Sequence, residues 1–121
     1  MRLFHIVEFS IWVEAVQRGE YRPASVDTGG FVHFAFADQV AGVAESLYRD
    51  VADLCVVEID PSVITHEIRV EDSYGSGTKF PHVYGPIPTS AAVATHALGR
   101  DAAGGYTFSP GDSTGPASTD R

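Results

Sequence analysis

Asp53-Leu54-Cys55-Val56-Val57-Glu58-Ile59 is a short, valine-rich and almost unbroken apolar run. A strand with one face in water alternates apolar and polar residues. A run without alternation fits a strand covered on both faces. Residues 53–59 are therefore expected to form the central strand of a sheet, stopped by Asp60-Pro61. Cys55 is the only cysteine, so an intramolecular disulfide and a thiolate metal cluster are both excluded. It reads as a buried core thiol.

Upstream of this run, Leu3 to Val7 reads as a first strand. Ser10 is placed to N-cap a helix running to about Arg18, with Ile11, Trp12 and Ala15 on its buried side. Gly19 is placed to end it. Glu20 to Asp27 reads as a polar loop that positions Tyr21, Arg22 and Ser25, and Asp27-Thr28-Gly29-Gly30 is a turn signal. Phe31 to Phe36 is the second expected strand. Asp38 opens a second helix, whose stripe Val40, Val43, Ala44 and Leu47 has helical spacing and belongs to the core.

Downstream, residues 64–70 read as a weaker strand with Ile68 and Val70 on one face. Asp72 to Lys79 carries glycine and serine and has the length of a mobile flap. Phe80 to Ile87 holds two prolines and should be extended, with proline at a strand end or an edge. Ala91 to Ala97 is the last expected strand. From Gly99 the composition turns to Gly, Ser, Thr, Pro, Ala and Asp, with Tyr106 and Phe108 as the large exceptions. One globular domain over residues 1–98 and a disordered tail over 99–121 are expected. Two early helices followed by several strands make an α+β pattern, and no Gly-x-Gly-x-x-Gly follows the first strand.

The formal charge is −8, from 8 basic and 16 acidic residues. Such a surface repels phosphate backbones, so no nucleic-acid partner is expected. No apolar run approaches the roughly 18 residues of a membrane span, so no membrane partner is expected. Glu8 interrupts the start too early for a signal peptide, which predicts a cytoplasmic protein. A small anionic ligand needs only a local positive spot, and Arg22, Arg69 and Lys79 are the candidates.

Three histidines stand in apolar settings: Phe4-His5-Ile6, Val32-His33-Phe34 and Pro81-His82-Val83. Burying an unpartnered imidazole costs about 1–3 kcal/mol, so each needs a partner. Together they point to a common polar cleft. Three imidazoles and a water would also suit a catalytic zinc. No His-x-His or His-x-x-x-His spacing supports that, so no metal is expected. His66 and His96 have no context that assigns them a role.

The order His5-Ile6, Trp12, Gly19-Glu20-Tyr21-Arg22-Pro23-Ala24-Ser25, Gly30-Phe31-Val32-His33, Gln39, Glu58-Ile59-Asp60-Pro61 and Phe80-Pro81-His82-Val83-Tyr84-Gly85-Pro86 resembles the small bacterial domain-of-unknown-function family 952. The resemblance covers residues 3 to 98. It implies an ADP-ribosyltransferase-like fold, a split and mostly antiparallel sheet with two helices and an NAD cleft. More distantly, Phe4-His5-Ile6-Val7, Val32-His33-Phe34-Ala35 and Val56-Val57-Glu58-Ile59-Asp60 are similar, in order, to three motifs of RNA 2′-phosphotransferases. Two departures stand out. Ala35 occupies the place of a serine in the second motif, and this chain has neither the several arginines nor the RNA-binding domain of those enzymes.

The resemblance implies a small nucleotide-like ligand, with NAD as a possible substrate. Glu71, or after it Glu67, would stabilise an oxocarbenium-like ribose. His33 and His82 would share the catalytic role. His5 would hold ribose hydroxyls, Tyr21 or Tyr84 would stack on nicotinamide, and Ser25 would line the same cofactor site. Arg22, Arg69 or Lys79 would meet the pyrophosphate. Two functions follow: an enzyme acting on NAD or an ADP-ribosyl or phosphoribosyl compound, or a non-catalytic nucleotide-binding or accessory module that kept the fold.

Overall fold

The computed structural model describes residues 1–110. Leu54–Ile59 (here β4) lies at the centre of a three-stranded sheet, antiparallel to Leu3–Glu8 (β1) on one side and Ala92–Ala97 (β8) on the other. The apolar run was legible for this reason: both of its faces carry core. Leu3, Val7, Cys55, Val57 and Ile59 face one apolar cluster, and Phe4, Ile6 and Val56 face a second. Strand side chains alternate, so the two sets interleave along the same strands. Val56, Val57 and Ile59 are each at most 1 % exposed. At about 1.5–3 kcal/mol per fully buried aliphatic side chain, this strand contributes a large share of the driving force. Burial pushes the Cys55 thiol up to about 11, as befits a core residue.

A second three-stranded antiparallel sheet has the order Val32–His33 (β3), Phe80–Val83 (β6), Ile68–Glu71 (β5). The two sheets meet at one bridge, where Phe4 and Ala35 exchange backbone hydrogen bonds of 2.9 and 2.8 Å. The chain is thus α+β with mostly antiparallel sheets. Phe9–Arg18 (α1) begins one residue before the expected Ser10 cap and has no side-chain cap bond; Trp12 and Ala15 are its buried residues, while Ile11 is exposed. Gly19 ends it with φ at +83°, a conformation that suits glycine.

The region from Glu20 to Asp27 is not a plain loop. Glu20–Tyr21 (β2) pairs with Ile87–Pro88 (β7), and Ala24–Thr28 forms a short helix (α2), making three α-helices among the described residues rather than two. The second expected strand pairs with β6 over only two residues. Pro81, fully buried in the middle strand of its sheet rather than at an edge, explains this. Its carbonyl accepts from Phe34 N–H at 3.0 Å, but it has no N–H to return, so the ladder stops there. Val40–Leu47 (α3) buries Val40 and Ala44, while Leu47, expected in the core stripe, is 71 % exposed at the last turn. Val70 is also exposed, because β5 is the edge of its sheet.

Gly99–Arg100 (β9) and Tyr106–Thr107 (β10) pair as a hairpin. Residues 99–110 therefore differ from the expected structureless tail; residues 111–121 lie outside the described part. The reason is aromatic. Tyr106 is 8 % exposed in the second core cluster, its backbone N–H donates to Glu45, and Phe108 packs edge-on against Phe4. Among the described residues, no helix is long and apolar enough to cross a membrane.

Candidate functional site

A cavity of about 1000 Å³ opens between β1, the β2–α2 segment, β3, α3 and the 72–79 loop. Its lining is mostly apolar and includes His5, Tyr21, Ser25, His33, Gln39, Tyr48, Tyr74 and Phe80. A large concave site with a few convergent polar groups is the usual form of a small-molecule site. His5 and His33 come to it from different sheets, on segments that neighbour each other at the Phe4–Ala35 bridge.

His5 has a defined tautomer. Its Nδ1 lies 2.6 Å from the His33 carbonyl, which can only accept, so Nδ1 carries the hydrogen. Nε2 is then the acceptor for the Tyr21 hydroxyl, 2.7 Å away. Burial drives the His5 pKa down to about 4, so the ring is neutral at pH 7. Tyr21 is buried against Trp12, and burial pushes its phenol well above the ordinary value. Its ring belongs to the core, so it does not supply the stacking face expected of it.

His33 and His82 are cross-strand partners, with ring centroids 5.4 Å apart. His33 is exposed at the cavity, and burial together with the neighbouring His82 lowers its pKa. His82 is 0 % exposed and stacked on Phe31 at 4.1 Å, so it does not reach the cavity. The Tyr74 hydroxyl joins the two: it bonds His33 Nδ1 and lies 3.3 Å from His82 Nε2. On the far side, His82 Nδ1 donates to Glu71 Oε2 at 3.0 Å, and the Tyr84 hydroxyl donates to the same oxygen. These two hydrogen bonds hold the Glu71 carboxyl below its usual range.

Several expected residues therefore stand outside the cavity. Glu71 lies behind His82 and cannot face a ribose in the cleft. Glu67 is paired with Arg69 through bonds of 2.8 and 3.1 Å. Arg69 also lies over the Tyr84 ring at 4.6 Å, so both are committed to each other. Arg22 is paired with Asp27 at 2.7 Å. Neither arginine lines the cavity, and among the described residues its lining holds no arginine or lysine and one carboxylate, Glu8. Among the same residues, no group of three or more His, Cys, Asp or Glu side chains is arranged to hold a metal ion.

Tyr74 is the residue that the sequence reading missed. Its signal was an aromatic inside a Gly/Ser loop, where no packing role explains it. The loop is built to present it: Asp72 accepts from the backbone N–H groups of Ser76 at 3.0 Å and Gly77 at 2.8 Å, and Gly75 and Gly77 have φ of +66° and +85°. The far end is tied by Gln39, whose side-chain amide donates to the Lys79 carbonyl at 2.8 Å. The two remaining histidines also find structural partners. His66 packs so closely on Gly85 that a Cβ there would come within 2.4 Å of its ring. His96 is buried against Glu58 at 2.7 Å.

The fold has experimental counterparts. The crystal structure of protein CC0527 from Caulobacter crescentus superposes with a TM-score of 0.76 at 26 % identity, covering 93 % of this chain and 96 % of that one. The solution NMR structure of CC0527 gives a TM-score of 0.72 at 27 % identity, over 86 % and 90 % of the two chains. No curated protein matches. The family model DUF952, described as a protein of unknown function, matches residues 6–95, which is most of the chain and includes His5's neighbour Ile6, Tyr21, His33 and His82; the chain belongs to the DUF952 family.

Proposed function

We propose that the cleft binds a nucleotide-like small molecule and that the protein acts there on an ADP-ribosyl or phosphoribosyl compound. The observation that carries this reading is the convergence of His5, held by Tyr21, and His33, held by Tyr74, on one largely apolar cavity. Aromatic walls at Tyr48, Tyr74 and Phe80 suit a flat base, and the polar groups suit ribose hydroxyls. Among the described residues the lining has no arginine or lysine, so the base and ribose are the parts the cleft takes; any phosphate would face solvent at its mouth. NAD is accordingly one candidate substrate among ribosyl compounds.

The non-catalytic reading has one observation in its favour. Glu71 is held behind the cleft, so the carboxylate expected to stabilise an oxocarbenium is not among the lining residues. The two readings separate in one experiment. Nucleosides, ADP-ribose, NAD and phosphoribosyl compounds are screened by thermal shift, and every ligand that binds is then followed for turnover by chromatography. At about 100 times its dissociation constant a true ligand stabilises by about 2.7 kcal/mol, and His33→Ala should abolish turnover while keeping the fold. Binding without turnover selects the binding module. A panel with no stabilising compound removes both readings.

A further inference from the structure

Glu71, His82, Tyr74 and His33 form one continuous hydrogen-bonded chain from a partly buried carboxylate to the cleft. Its direction follows from donor and acceptor chemistry. Glu71 is ionised and can only accept, so His82 Nδ1 carries that ring's hydrogen. A neutral His82 then has a bare Nε2, which accepts the Tyr74 hydroxyl hydrogen. With its one hydrogen spent, Tyr74 oxygen can only accept from His33 Nδ1. His33 is left with its lone pair on Nε2, and among the described residues that nitrogen has no hydrogen-bond partner.

We propose that this chain makes His33 Nε2 the general base of the cleft, with Tyr74 and His82 as positioning residues through which the positive charge moves inward to rest on His82, beside Glu71. The inference deepens the catalytic reading above and rests on it for its use, though not for its test. In the step, the O–H bond of a substrate hydroxyl or a water breaks and its proton joins His33 Nε2; the electron pair stays on the oxygen, which becomes the nucleophile. The His33 Nδ1 proton moves to Tyr74 oxygen as the Tyr74 proton moves to His82 Nε2. The positive charge finishes on His82, beside the Glu71 carboxylate, where the low-dielectric interior strengthens their attraction. One proton enters and none is lost. Tyr84, donating to the same carboxylate oxygen, keeps Glu71 oriented.

The test needs no ligand. Long-range ¹H–¹⁵N correlation of the ligand-free protein at neutral pH reads which ring nitrogen of each histidine is bare. His33 should be the Nδ1–H tautomer, with a bare Nε2, as should His82. In Tyr74→Phe, which removes only an oxygen from a half-exposed ring, His33 should revert to the Nε2–H form that free imidazole prefers. A wild-type His33 that is already Nε2–H, or one indifferent to Tyr74→Phe, overturns the proposal. Because no nucleotide is present, that failure is distinct from a failure of the ligand panel.

Discussion

Acidification from pH 6.5 to 4 should cost the fold about 3 kcal/mol through His5 alone. The unfolded ring titrates near 6.5 and the folded one near 4, because burial disfavours the charged ring. Above pH 6.5 both states are neutral and stability does not depend on this group. As pH falls, the unfolded chain takes the proton first, which draws the equilibrium toward unfolding until the folded ring is protonated too. The gap is about 2.5 pH units, and each is worth about 1.36 kcal/mol. His33, whose pKa is also lowered, adds to the loss in the same direction. Urea unfolding at half-unit pH steps measures this. His5→Gln should flatten the limb between pH 6.5 and 4; an unchanged limb would show that His5 is solvated and free of the Tyr21 and His33 carbonyl contacts.

His96→Ala should destabilise the protein by about 1–3 kcal/mol, the range for leaving a buried polar group without its hydrogen-bond partner. Glu58 is 8 % exposed and lies against His96 at 2.7 Å, with Arg2 at 3.6 Å as its other partner. Truncating the imidazole leaves the carboxylate desolvated within the second apolar cluster, beside Phe4 and Phe108. Replacing both partners, Glu58→Leu with His96→Leu, removes the buried charge as well as its partner. The double variant should therefore be more stable than the single one in equilibrium urea unfolding. A single variant within about 1 kcal/mol of wild type would mean that water reaches Glu58.

What the sequence made legible was local. The 53–59 run named the central strand because both faces of β4 are apolar, and Gly19 marked a helix end that only a positive φ requires. Of the three histidines in apolar settings, His5 and His33 lie in the cavity lining. His82 was read as a cleft residue because a strand histidine looks the same whether its ring meets a ligand or another side chain; only the pairing of β3 with β6 places it behind His33. Glu71 stands outside the cavity lining for a related reason, since its partners Tyr84 and His82 are 13 and 11 residues away across a strand pair. Tyr74, the Glu58–His96 pair and the 99–107 hairpin all depend on contacts between distant segments, which periodicity does not encode.

Two-dimensional NMR titration with the strongest ligand from the nucleotide panel is the most direct test of the cleft. Shifts concentrated on His5, Tyr21, Ser25, His33 and Tyr74 are expected, with the imidazole signals of His5 and His33 moving together. Saturable shifts that instead gather around Arg2, Glu58 and Phe36, which line a separate surface cavity, would contradict the assignment of the site.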